Sequence, residues 1–210
     1  MRLSLVIFSW FFVLVVVGQK RLSEGTLTFS VLTYSENKQI GDSLTAQHFF
    51  KGAHTRSDLF GSLGRSATLY DSREQVGAII RNFGYQKILV PLDALSWADK
   101  NAWYDPDSIV YSNEQKIILD YPCEKVQINL RNGARLLAWF TRSIILDNTN
   151  TEFQMGDLPG LVLHYEYATD QSRTVYSLIQ LNFDPVPIQR FDIPSSGYRI
   201  LSYTDSKKQL

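Results

Sequence analysis

From residue 26 to residue 183 the chain is written largely in short runs of β-branched and aromatic residues, cut by turn residues every few positions. That texture fits antiparallel sheets, because such side chains pack well on a pleated surface while Gly, Asn, Asp and Ser mark the reversals. Leu27, Phe29 and Val31 alternate with Thr28, Ser30 and Leu32, so residues 26–33 read as a first strand with one apolar face. Lys51-Gly52 separates 46–50 from 55–59, and Asp71-Ser72 separates 67–70 from 76–80, which gives two hairpins. Asn82-Phe83-Gly84 then turns the chain into a run over 86–90. Segments 116–119, 125–130 and 135–141 form a meander, and its Arg131-Asn132-Gly133 turn carries the strongest hairpin signal, since Asn and Gly accept the positive φ that a tight reversal needs. Segments 161–168 and 173–183 form a late pair around Thr169-Asp170-Gln171-Ser172, after which Pro185, Pro187 and Pro194 forbid a long central strand.

Outside the N-terminus only residues 92–102 have helical spacing, with Pro91 and Asp93 at the start and Leu95, Ala98 and Ala102 on one stripe. That stripe is expected to rest on the concave face of the sheet, as a lid. One short helix among many strands makes the fold class mainly β (α+β) and excludes a doubly wound parallel sheet, which needs a helix after nearly every strand.

Arg2 and the apolar run over residues 3–17 fit a secretory signal. The run would span roughly 22 Å as a helix, short of a hydrocarbon core of ~30 Å. Val16-Val17-Gly18 offers a cleavage site that leaves Gln19 as the mature N-terminus, while Lys20 and Arg21 support the alternative of an uncleaved anchor. The expected organisation is a signal peptide over 1–18, an N-terminal segment over 19–25, a single β-rich domain over 26–204 and a tail over 205–210. The expected location is the periplasm or the exterior of a Gram-negative cell.

With 21 basic and 21 acidic side chains there is no electrostatic reason to expect a nucleic-acid partner. The single cysteine, Cys123, excludes an intramolecular disulfide, and its position excludes a lipid-modified cysteine at the end of the apolar run. Cys123 reads as a small buried hydrophobe. His48, His54 and His164 lack the spacing of a metal motif; His48 and His54 straddle a hairpin turn and read as solvated strand residues. Asp105 and Asp107 flank Pro106 in a turn rather than forming an acid–base pair. No nucleophile elbow, phosphate loop or dinucleotide fingerprint is present, so no catalytic residue, metal ligand or cofactor is assigned.

The aromatic residues are more informative. Leu161, Leu163, Tyr165 and Tyr167 alternate along one strand, and its face either packs a core or lines a pocket. Trp97 and Trp103, on or beside the helical segment, are expected at the mouth of a cavity with Leu163 and Tyr165 on its wall. The opposite register would turn Val162 and His164 inward, and both registers remain open at this point. In the Leu158-Pro159-Gly160 turn, Gly160 is expected at positive φ.

Two resemblances extend this reading. Gly156-Asp157-Leu158-Pro159-Gly160-Leu161-Val162-Leu163 resembles the signature of the GLPGLI family of exported bacterial proteins, with Asp157 and Val162 departing from it. The Lys51-Gly52 hairpin, Tyr70-Asp71-Ser72, Tyr121-Pro122-Cys123-Glu124-Lys125 and the ending Phe191-Asp192-Ile193-Pro194-Ser195-Ser196-Gly197-Tyr198 resemble a family similar to the lipoprotein carriers of the periplasm. That resemblance implies an incomplete antiparallel β-barrel with one short helix against its concave face, around an apolar cavity. Arg56 is the candidate for the carriers' lid-locking arginine. The implied function is binding of a lipid, acyl chain or lipopeptide; the alternative is an interaction or structural module of the cell envelope that meets a protein partner.

Overall fold

Two meanders build the sheet. The computed structural model describes residues 19–35, 40–152, 155–169 and 171–208, so the expected signal segment lies outside the described residues. After β1 (Lys20–Leu22), the first meander runs through β2 (Glu24–Ser35), β3 (Ile40–Lys51), β4 (His54–Gly61), β5 (Gly64–Asp71), β6 (Val76–Phe83) and β7 (Gln86–Leu92). Helix α1 (Ala94–Asn101) leads to β8 (Pro106–Ile118), β9 (Tyr121–Leu130) and β10 (Arg135–Thr141). Then come β11 (Ile144–Leu146), β12 (Leu161–Ala168), β13 (Ser172–Asn182), a 3₁₀ turn (Ile188–Phe191), β14 (Arg199–Ile200) and α2 (Tyr203–Lys207).

Among the described residues twelve strands form one sheet in the order β14-β7-β6-β5-β4-β3-β2-β13-β12-β10-β9-β8, and β1 pairs with β11 separately. The early strand β2 thus meets the late strand β13, joining the two meanders, while β8 and β14 remain as edges. The expected mainly β, open half-barrel is what the strands build.

Curvature follows from which residues meet. Six strand spacings separate β6 from β12, roughly 29 Å on a flat sheet at ~4.8 Å each. Yet Ile79 of β6 and Tyr165 of β12 line one cavity of about 500 Å³, so the sheet curls around it. Register fixes the inner face: Ala46, His48 and Phe50 of β3 stand opposite Leu59, Ser57 and Thr55 of β4, and Thr68 of β5 stands opposite Ile79. The inner face also carries Tyr176 of β13 opposite Tyr165.

Turn chemistry accounts for most reversals. Gly133 sits at φ +85° in the Asn-Gly hairpin between β9 and β10. The β8–β9 turn is different: Leu119 and Asp120 both have positive φ, 47° and 67°, without a glycine, which is why it leaves little sequence signal. Gly160 does not take the positive φ expected of it. A Cβ there would stand 2.0 Å from the Thr141 carbonyl oxygen, so glycine is required by the close approach of two backbones.

Helix α1 is shorter than expected and turned. Asp93 caps it by accepting from the Ser96 amide at 2.8 Å, while Leu92 belongs to β7. The expected stripe fails, since Leu95 is 80% exposed and Trp97 is the residue buried. Trp97 stacks on Tyr70 at 4.0 Å between ring centroids and donates from Nε1 to Asn150 Oδ1 at 2.7 Å. An indole offers more apolar area than Leu95 and has both a ring and an acceptor waiting, so tertiary pairing overrides the stripe.

The outer face of β3 to β6 is covered by the chain's last stretch. Tyr198 packs on Ala67, Leu69 and Ile80, and the Arg190 guanidinium lies 4.6 Å from the centre of the Phe49 ring. β14 then pairs in parallel with β7, and Lys207 of α2 reaches Asp99 of α1 at 2.7 Å.

Candidate functional site

The cavity of about 500 Å³ has two walls and a rim. On one side stand inner-face residues of β3 to β6, including Ala46, His48, Thr68, Ile79 and Arg81. On the other stand Tyr165, Tyr167, Thr174 and Tyr176 of β12 and β13. Lys100 from the last turn of α1, Trp103 just after it and Glu152 from the irregular segment before β12 complete the rim.

The second wall is built by a stacked pair. Tyr165 and Tyr176 lie 4.3 Å apart with rings 8° from parallel. Burial raises the Tyr165 phenol well above its ordinary value and raises Tyr176 as well, so both remain protonated and offer ring faces and hydroxyl groups rather than charge. Trp103 meets Tyr104 and Tyr167 edge to face at 5.8 and 6.0 Å.

The first wall is polar at its floor. His48, expected to be a solvated strand residue, is buried at 7% exposure, because it alternates with Ala46 and Phe50 on the inner face. Its Nδ1 lies 2.8 Å from Ser57 Oγ, and its ring meets Phe29 edge to face at 5.5 Å. Burial depresses its pKa to about 3, so it is a neutral hydrogen-bonding group. It pairs across the sheet with Ser57, while His54 stands opposite Lys51, so the two histidines do not face each other.

Residues 148–150, ahead of β12, are held in place by side-chain amides. Asn148 Nδ2 donates to the Gly52 and Ala53 carbonyls at 3.1 and 3.2 Å, and Asn150 receives Trp97. Glu152 is thereby held where Lys100 Nζ approaches its carboxylate at 3.2 Å.

Of the four residues singled out from sequence, Trp103 and Tyr165 line this cavity; Trp97 and Leu163 do not. Trp97 is sealed into a neighbouring core with Tyr70, Ile79, Val90 and Leu92. Leu163 is turned away by a bulge: Trp139 stands opposite His164 and Phe140 opposite Val162, which leaves Leu163 as the extra residue. It is buried with Leu161, Ile144 and Phe29 in a core that also takes in Ala46 and packs against Leu59 and Tyr176 of the cavity wall. The strict alternation of Leu163 and Tyr165 on one face is therefore broken.

Arg56, the candidate lid lock, lies on the outer face. Its Nε donates to Asp58 at 2.8 Å and its Nη1 to the Arg190 carbonyl at 2.8 Å, which fastens the covering C-terminal stretch. Asp58 also receives Arg65 at 2.6 Å. Cys123 is buried as expected, and burial pushes its thiol up to about 11. Among the described residues no group of three His, Cys, Asp or Glu could hold a metal ion. No described helix is long and apolar enough to cross a membrane.

The sequence matches no protein family and no curated protein. Among solved structures, PNGF-II has 13% identity and a TM-score of 0.49 over 88% of this chain; this chain spans only 33% of its length. An uncharacterized conserved protein from Thermus thermophilus has 8% identity and a TM-score of 0.49, covering 83% of this chain and 90% of that one. LprF from Mycobacterium bovis has 11% identity and a TM-score of 0.41, covering 79% of this chain and 88% of that one. All three fall below a TM-score of 0.5, so what this chain does has to be read from its own residues.

Proposed function

We propose that this chain is an exported cell-envelope binding protein whose half-barrel cavity holds the apolar chain of a small lipid-like molecule. The supporting observation is the cavity itself: about 500 Å³, opening beside Trp103 and walled by the stacked Tyr165 and Tyr176. This size lies within the ~300–1,000 Å³ of small-molecule sites. At roughly 30 Å³ per heavy atom, it accommodates about seventeen such atoms, a single chain rather than a multi-chain lipid. Protonated tyrosines and a neutral His48 give the chain ring faces to lie on without burying a charge against it. Export is supported by the apolar run over 3–17.

The test uses the neutral fluorescent probe N-phenyl-1-naphthylamine. Its emission should rise on entering the cavity, and Ser66→Trp, which adds an indole at a half-buried wall position, should weaken its binding by about tenfold. Equal binding by wild type and a folded Ser66→Trp variant, or no uptake by either, overturns the reading.

A second reading has its own observation. β8 is an edge strand whose Val110, Tyr111 and Ile117 are 55%, 49% and 74% exposed, so a partner strand could extend the sheet there. An envelope protein captured through β8, with no probe uptake by the cavity, would favour it.

A further inference from the structure

We infer that the cavity takes an anionic amphiphile, a single apolar chain ending in a carboxylate or phosphate, and that Arg81 is the residue that recognises the anionic end; this rests on the binding reading above.

Other charges at the cavity already have partners. Lys100 is matched by Glu152 at 3.2 Å. Asp58 is matched by both Arg56 and Arg65, at 2.8 and 2.6 Å. Arg81 lines the same cavity and is half-buried, yet no carboxylate among the described residues pairs with it. A guanidinium withdrawn partly from water has lost hydration that an ion pair would restore. Among the described residues no carboxylate fills that place, and the ligand is the remaining source.

Its placement is fixed by the sheet. Arg81 follows Ile79 on the inner face of β6 and stands opposite Ser66 of β5, which also lines the cavity. The apolar Ile79 and the charged Arg81 therefore succeed each other along one wall, the order in which a chain and its headgroup would meet them. A guanidinium presents donors in a planar fork that fits a carboxylate or phosphate in a bidentate manner. The second wall, with the stacked Tyr165 and Tyr176, takes the chain.

The experiment is displacement of N-phenyl-1-naphthylamine from the full mature chain by dodecanoate, dodecyl phosphate, dodecanol and inorganic phosphate. Dodecanoate and dodecyl phosphate should displace the probe at concentrations about tenfold lower than dodecanol. Arg81→Gln should abolish that gap while leaving dodecanol unchanged, and Arg81→Lys should restore part of it. Added salt should narrow the gap in the wild type, and this arm stands even if Arg81→Gln does not fold. Equal displacement by dodecanoate and dodecanol overturns the role of Arg81 but leaves the cavity reading intact. Failure of every dodecyl compound, with the probe also unbound, overturns both. Competition by inorganic phosphate at the same concentration as dodecyl phosphate would assign Arg81 to a free anion and overturn the amphiphile.

Discussion

The same concave surface is finished in two ways. Where Tyr70, Val90 and Leu92 of β5 and β7 meet α1 it is sealed, because Trp97 stacks on Tyr70, packs with Val90 and Leu92 and gives its indole N–H to Asn150. Over β3, β4, β12, β13 and the Ser66, Thr68 and Arg81 positions of β5 and β6 it is left open, with Trp103 at 38% exposure beside the cavity. Ile79 belongs to both, packing against Trp97 on one side and lining the cavity on the other. The difference lies in two residues of one segment: Trp97 completes a core, and Trp103 borders a space. A curled sheet has more apolar inner face than one short helix can cover, and the uncovered part is left as the cavity.

The largest expected effect comes from breaking the sealed end. Trp97→Ala removes a stacked ring, an indole hydrogen bond and the centre of a small core, and should cost about 3–5 kcal/mol in urea unfolding. It also leaves Asn150 Oδ1 without its donor. A loss under about 1 kcal/mol would mean that this end is no better packed than the open one, and the contrast would fall.

A smaller effect distinguishes the floor of the open end. The folded pKa of His48 is depressed from 6.5 to about 3 by burial, so below pH 6.5 the unfolded chain binds a proton that the folded one does not. The stability that this contributes is complete above pH 6.5 and is lost as the pH falls towards about 3. The slope is about 1.4 kcal/mol per pH unit, or about 2 kcal/mol between pH 6.5 and 5. His48→Gln should remove that share of the slope, measured as the difference between the two proteins' urea midpoints across this range. Parallel pH profiles would show that His48 is hydrated through the cavity and that the floor is wetter than its burial implies.

What the sequence makes legible here is what local chemistry decides. The Lys51-Gly52 and Asn132-Gly133 reversals lie where turn residues require them, and the strands beside them follow. The first part of β3 and most of β8 lack clear alternation, and the Leu119-Asp120 turn has no glycine to announce it. The site is half legible: Trp103 and Tyr165 stand out by their aromatic character. Leu163 is misplaced from sequence because a bulge shifts alternation by one residue, and the bulge is set by contacts with β10 distant in sequence. Trp97 is misplaced because its partner Tyr70 and its acceptor Asn150 are both remote. His48 and Arg81 carry a usable signal, each alternating with apolar residues that face inward, Ala46 and Phe50 for the first and Ile79 for the second. Lys100 and Glu152 do not, since only the fold brings that helix turn to that loop.

The smallest stability effect is expected at the open end, and it is the most discriminating. Trp103 is 38% exposed and meets Tyr104 and Tyr167 only edge to face, so Trp103→Ala removes modest burial and should cost about 1 kcal/mol. Because its indole borders the cavity, the same change should weaken binding of N-phenyl-1-naphthylamine by about fivefold, the loss expected from one aromatic contact of about 1 kcal/mol. Trp97→Ala should give the reverse ratio, with stability falling far more than affinity when binding is measured where the variant remains folded. The two indoles thus form a paired test, read by urea unfolding and probe titration on the same preparations. If Trp103→Ala proves as destabilising as Trp97→Ala while leaving the probe's affinity unchanged, Trp103 belongs to the core. The opening beside it would then not be the entrance to the site.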